Sequence, residues 1–169
     1  MPVLPVLTYP APELRRVSSA IEVYDGSADA LAADLVQTVN SFPGCVGIAA
    51  PQTGDARRLI AIDASRHRKP VANRGLLVLA NPVVLAREGS QIFREGCLSL
   101  PDYTANVLRA TAVTVRGIDR AGEELTLTAE GFEAVVLQHE IDHLDGVLFI
   151  DRVASLKRDI FRRQPASLR

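Results

Sequence analysis

Cysteine is scarce in this chain: two residues, Cys45 and Cys97, among 169. In a reducing compartment two such residues read as free thiols, leaving packing, metal binding or nucleophilic catalysis open to each. No apolar run approaches the ~20 residues that a membrane-spanning helix requires, although 47% of the residues are hydrophobic. The opening Met1-Pro2-Val3-Leu4-Pro5-Val6 has neither a basic leader nor a small-residue cleavage site, so no secretion signal and a cytoplasmic location are expected. Neither sign of charge dominates, with 19 Lys and Arg against 20 Asp and Glu. That balance excludes a surface built throughout to grip nucleic acid, and sequence-specific nucleic-acid binding is not expected. Internal repeats, low-complexity segments and linkers are also absent, and 169 residues suit one domain, 1–169, rather than two.

What is present reads as an α+β domain. Residues 1–26 hold four prolines and suggest an extended arm with a short helical turn. From Ser27, a good N-cap type, Leu31, Leu35 and Val39 recur at helical spacing with Asp29 in the first turn. Phe42-Pro43-Gly44 ends that helix, and the small-residue segment from Cys45 to Gln52 follows. Strands are expected at Arg58 to Asp63, Leu76 to Leu85, Ala112 to Asp119 and Glu124 to Thr128, with a hairpin turn at Arg120-Ala121-Gly122-Glu123. A second helix runs from about Gly131 to Leu144 and closes at Asp145-Gly146. The tail from Val153 to Arg163 is expected to form a short final helix. Strands in the middle with few, non-alternating helices point away from a doubly wound sheet.

The strongest chemical signal is His139-Glu140-Ile141-Asp142-His143 within the second helix. Residues four apart share a helical face, so both imidazoles can converge on one ion. Glu140 sits beside them, able to take a proton from water on that ion. The bland alternative is a polar helix face with two solvated histidines. Against it, Phe132, Val135, Val136 and His139 share much of one face, and imidazoles extending an apolar stripe need partners. A third ligand is then required. His67 lies in the basic, loop-like Ser65-Arg66-His67-Arg68-Lys69, whereas Cys97 follows a glycine in Glu95-Gly96-Cys97-Leu98-Ser99-Leu100-Pro101 and offers a soft thiolate. Cys97, His139 and His143 would leave a fourth position open for water, the mark of a catalytic rather than a structural site.

Together these residues resemble the peptide deformylase family. Its three ordered motifs are Gly-x-Gly-x-Ala-Ala-x-Gln, Glu-Gly-Cys-Leu-Ser and Gln-His-Glu-x-Asp-His-Leu. The last two stand complete here as Glu95-Gly96-Cys97-Leu98-Ser99 and Gln138-His139-Glu140-Ile141-Asp142-His143-Leu144. The first is Cys45-Val46-Gly47-Ile48-Ala49-Ala50-Pro51-Gln52, with Cys45 in place of the leading glycine. Tyr9 to Arg15 and Asn81-Pro82 also look like family segments, and the similarity spans roughly residues 5–152.

The resemblance implies antiparallel or mixed sheets around a central His-Glu-x-x-His helix, with an N-terminal helix and the short C-terminal one. It implies a hydrolase that removes the formyl group from the N-terminal methionine of nascent chains. Cys97, His139 and His143 would hold a divalent metal, Fe2+ in the cell, with Zn2+, Ni2+ or Co2+ able to substitute. Glu140 would act as base and then acid, and the Gln52 amide and Leu98 backbone N–H would face the oxygen that becomes negative. Phe132, Val135, Val136, Val46 and Phe93 would line the methionine slot. Backbone around Gly47 and Ile48, with Glu95 and Gly96, would meet the peptide. Glu95, Arg109 and Asp142 read either as groups orienting the ligands or as ordinary ion pairs. The six basic residues after Asp151, against one acidic residue, suggest a solvated helix face or weak docking on ribosomal RNA. Two rivals stand beside this reading. A zinc peptidase would expect a further ligand downstream of the helix, and a silent relative would keep the fold as a binding module.

Overall fold

The computed structural model describes residues 2–163. The expected N-terminal helix, α1, spans Gly26–Ser41 and is capped by Asp25, not by Ser27. The Asp25 carboxylate accepts from the amides of Ser27 and Ala28 at 2.9 and 3.0 Å, an arrangement that stabilises a helix start by about 1 kcal/mol. The Ser27 hydroxyl accepts from Arg57 instead.

Strands β1 (Gly47–Ala49), β2 (Leu59–Asp63), β3 (Leu76–Glu88), β6 (Ala112–Ile118) and β7 (Glu124–Glu130) form an antiparallel sheet in the order β1-β2-β3-β6-β7. Strands β4 (Gln91–Cys97), β5 (Leu100–Arg109) and β8 (Ile160–Arg162) form a second, in the order β4-β5-β8. The second helix, α2, occupies Gly131–Leu144 as expected. One side of it, through Ala134, Leu137, Ile141 and Leu144, packs on Ile60, Ile62 and Leu79 of the larger sheet. His139 and His143 turn towards Glu95 and Cys97 of the smaller one. On the opposite face of the larger sheet, Leu31, Leu35 and Val39 of α1 meet Leu59, Ala61 and Val78. Both faces of β2 are therefore covered, which is why its sequence is apolar throughout. Each fully buried aliphatic side chain in these clusters contributes about 1.5–3 kcal/mol.

Two further features differ from the sequence reading. The strand pair β4–β5 is not among the expected strands; the inward positions of β4 include Glu95 and Cys97, which breaks the apolar alternation there. The tail is not helical. Residues 153–159 make a turn closed by Asp159 and Ser155, and β8 then pairs with β5 through Tyr103, Thr104 and Ala105. An open strand edge offers a ladder of hydrogen bonds that a short, isolated helix cannot match.

Local chemistry secures the loops around this frame. Asn81, at φ 49° beside a register shift in β3, holds the N-terminal arm by accepting from Ile21 N and donating to Ile21 O. Gly146 ends α2 at φ 72°, where a Cβ would meet the Arg15 carbonyl carbon at 2.7 Å. Glycine is needed there for both its conformation and its size.

Candidate active site

From Glu133 to Leu144, α2 is buried on every side, so each polar side chain on it needs a partner. Gln138 bonds the backbone of Ala110 in both directions at 3.0 Å. His139 donates from Nδ1 to Glu95 Oε1 at 2.7 Å, which leaves Nε2 free as a ligand atom. Glu95 also takes two bonds from Arg109, at 2.7 and 2.9 Å, and Arg109 reaches Asp142 at 2.6 Å. Arg152 closes the chain with two bonds to Asp142, at 2.8 and 2.9 Å. The orienting alternative for Glu95, Arg109 and Asp142 thus has a geometric basis, and Arg152 extends it.

Cys97, at the end of β4, His139 and His143 bring their ligand atoms within 4.8 Å of one another. Cys97 Sγ lies 3.3 Å from His143 Nε2. Tetrahedral zinc bonds of about 2.3 Å to sulfur and about 2.1 Å to nitrogen would put such donors about 3.6 Å apart, so the spacing fits a shared cation. The charges fit as well. Burial keeps His143 neutral, well below the ordinary imidazole range. Burial pulls His139 the same way, but Cys97 and Glu95 outweigh it and raise its pKa; a divalent cation would take over that demand for positive charge. Glu95 is also pushed up by burial, yet Arg109 and His139 hold it at about 2.

For Glu140 burial outweighs the compensation that His139 and Arg109 supply. Burial lifts its carboxyl to about 7, and its Oε2, like His143 Nδ1, is buried without a partner among the described residues. An unpartnered carboxylate oxygen beside three donors is what water on a metal would satisfy. Strand β1 passes close by, and a Cβ on Gly47 would lie 2.9 Å from Glu140 Oε1. Gln52 is fixed from both ends. Its Oε1 accepts from Ala49 N at 2.9 Å, while Nε2 donates to Ser99 Oγ at 3.1 Å and stands 3.5 Å from Cys97 Sγ.

These groups face a cavity of about 620 Å³. Val46, Gly47, Phe93, Glu95, Gly96, Leu98, Phe132, Val135 and Val136 line it. Ile48 does not: its side chain is fully buried on the α1 side, because alternation along β1 sends it away from the cavity. Cys45 lines the cavity and is mostly buried, with burial pushing its thiol up to about 11. His67 is not a ligand, but its ring stands 4.1 Å from that of Phe132 at the wall. Arg68, Arg94, Thr104 and Arg163 complete the rim. Sequence reasoning missed these four. For Arg163 the usable signal was Ile160-Phe161-Arg162, a short β-compatible run.

A buried Cys-His-His donor set with a free carboxylate, set at the head of an apolar cavity between strand edges, defines a metal-dependent hydrolase. Comparison with known proteins narrows the class. The polypeptide deformylase family model matches residues 3–159. The peptide deformylase of Xylella fastidiosa strain M12 is 45% identical over 168 residues, covering 97% of this chain and 95% of that protein. A crystal structure of a peptide deformylase from Legionella pneumophila superposes with a TM-score of 0.83 at 38% identity, covering 93% of this chain and 89% of the other. A class I type b peptide deformylase from Acinetobacter baumannii, bound to Met-Ala-Ser, superposes at 0.82 with 32% identity, covering 90% and 99%. The chain belongs to the polypeptide deformylase family. It is a hydrolase that removes the N-formyl group from nascent polypeptides.

Proposed function

We propose that residues 1–169 act as one catalytic domain in which Cys97, His139 and His143 hold the metal and Glu140 moves the proton. The observation that carries this assignment is the unpartnered Glu140 oxygen beside the three donors. Ferrous iron is the expected cation in the cell, with zinc, nickel or cobalt able to take its place. When bound, a divalent cation supplies Lewis acidity that lowers the pKa of water from about 15.7 towards about 7. Glu140 accepts the proton of the attacking water and delivers it to the departing amine. The Gln52 amide, held by Ala49 and Ser99, and the Leu98 N–H donate to the formyl oxygen as it gains charge.

The substrate lies extended between β1 and β4, each the outermost strand of its sheet. Backbone around Gly47 and Gly96 pairs with it as with an added strand. The methionine side chain enters between Phe93, Phe132, Val135, Val136 and Val46. An unbranched apolar group suits a slot of this lining. The Acinetobacter relative binds the peptide Met-Ala-Ser, which supports a peptide beginning with methionine as the ligand. Nascent chains put the reaction in the cytoplasm. Separately, no helix among the described residues is long and apolar enough to cross a membrane.

Formate release from a formyl-methionyl peptide by anaerobically prepared, iron-loaded protein tests the assignment. Rapid release is expected; none from fully metallated protein would leave a binding module as the better description. A second test uses Gly47→Ala. Its methyl group would displace the Glu140 carboxylate, and a shift of about 1 Å in a reacting group can cost about 10²-fold. We expect a comparable fall in kcat with metal content and Tm retained; an unchanged kcat would count against Glu140 as the base.

Ribosome docking through the tail is a further part of the proposal, on a smaller set of charges. Arg152 is committed to Asp142, and Arg169 lies outside the described residues. Lys157, Arg158 and Arg162 are exposed. Replacing these three with glutamine should weaken ribosome co-sedimentation at low salt while formate release from short peptides continues. Unchanged co-sedimentation would remove docking from the proposal.

A further inference from the structure

On the footing of the deformylase activity proposed above, we infer that Arg163 and Arg68 select substrates with acidic side chains in the residues following methionine. The cavity's own acids are spoken for: Glu95 is paired with Arg109 and His139, and Glu140 sits at the metal donors. At the rim the charges are of one sign, with Arg68, Arg94 and Arg163 all exposed and all lining the cavity. None of the three forms an ion pair among the described residues. The chain as a whole carries a net charge of −1, so this is a local concentration and not a reflection of composition.

The arginines are not equivalent. Arg94 is held in place, donating to Asn106 Oδ1 at 2.9 Å and lying 3.7 Å from the centre of the Phe161 ring. Arg163 follows β8, and its backbone N–H donates to Asp102 O at 2.7 Å. From there its guanidinium lies directly over Gly96, within contact distance of where a Cβ would stand. Gly96 is next to Cys97, so the cation is one residue along the strand from the reacting centre. Arg68 also lines the cavity and follows His67, whose ring packs on Phe132 at the wall. A peptide laid between β1 and β4 with methionine in its slot carries its next residues past these two charges. Extended chains project alternate side chains to opposite sides, so each guanidinium can meet a different substrate position. A guanidinium pairs a carboxylate through two parallel hydrogen bonds. Arg163 stands over the strand within the cavity mouth, a position suited to a single peptide chain and not to an RNA helix.

The test compares kcat/KM for formyl-Met-Glu-Ala-Ser and formyl-Met-Ala-Glu-Ser with the corresponding lysine peptides, using metal-loaded enzyme. Exposed charge pairs are worth little individually, so we expect a preference of about fivefold for glutamate at low salt, carried mainly by KM and shrinking as salt rises. Arg163→Glu should reverse the preference at one substrate position and Arg68→Glu at the other; Arg163→Lys should retain most of it. Reversal requires active enzyme, so misfolding cannot mimic it. Calorimetric binding of the deformylated products, Met-Ala-Glu-Ser against Met-Ala-Lys-Ser, provides a readout independent of turnover and should show the same order. Equal kcat/KM for acidic and basic peptides in the wild type would overturn the inference while leaving deformylation intact; no formate from any peptide would instead bring down the activity on which it rests. Charge reversals that weaken ribosome co-sedimentation without changing peptide preference would assign the arginines to RNA and also overturn it.

Discussion

Glu140→Ala should lower kcat/KM for a formyl-methionyl peptide by about 10³-fold, within the range of about 10²–10⁴ that a positioned acid–base group supplies. The side chain is buried, and one of its oxygens has no partner among the described residues. Its removal therefore breaks no protein hydrogen bond made by that oxygen, and the fold should survive. Burial disfavours the charged form of this carboxyl, so the variant loses a group that the fold holds at some cost to stability. We expect Tm unchanged or slightly raised, and bound metal close to the wild-type ratio because Cys97, His139 and His143 remain. Glu140→Gln should be nearly as inactive as the alanine variant, since an amide keeps the shape and cannot accept the proton. Measuring formate release together with metal content separates the two roles. A variant that loses metal in proportion to its activity would show Glu140 to be structural at this centre.

Glu95→Ala should be the most destabilising single change near the site. The carboxylate joins His139 to Arg109 at 2.7 to 2.9 Å inside the protein, and its removal leaves a buried guanidinium with Asp142 as its remaining acidic partner. Breaking one side of a buried pair costs about 3–5 kcal/mol. For a chain of this size each kcal/mol lowers Tm by about 2–4 °C, so a fall of about 10 °C is expected. Loss of the Nδ1 acceptor also frees the His139 ring to change tautomer and rotate. Metal affinity should then drop by about 10–100-fold. Glu95→Gln is the discriminating control: it can still accept from one partner and should recover part of the metal affinity while remaining less stable than wild type. Thermal unfolding and competitive chelator titration would check both effects. Unchanged metal affinity in Glu95→Ala, with the fold intact, would show that His139 is oriented by packing alone.

The α+β class, both helices and the residues of the candidate donor group could be read from the chain because each rests largely on short-range chemistry. Helical periodicity sets His139 and His143 on one face of α2, and their spacing makes them a candidate metal pair. Strands with ordinary apolar patterning, β2, β3, β6 and β7, are visible for the same reason. Where inward positions hold Glu95 and Cys97, function displaces the pattern by which a strand is recognised, and β4 disappears from a sequence reading. Other features exist only once distant segments meet. The link from His139 through Glu95, Arg109 and Asp142 to Arg152 crosses four elements. The conversion of the tail into β8 depends on the open edge of β5, which no local window contains. That edge pairing carries Arg163 to the cavity mouth. The sequence by itself determined the candidate donors Cys97, His139 and His143 and the carboxylate of Glu140 beside them, through spacing along one helix and a cysteine after glycine. Only the tertiary structure decided what surrounds them, because partners for buried charges and unpaired strand edges are supplied by whichever segments the fold brings into reach.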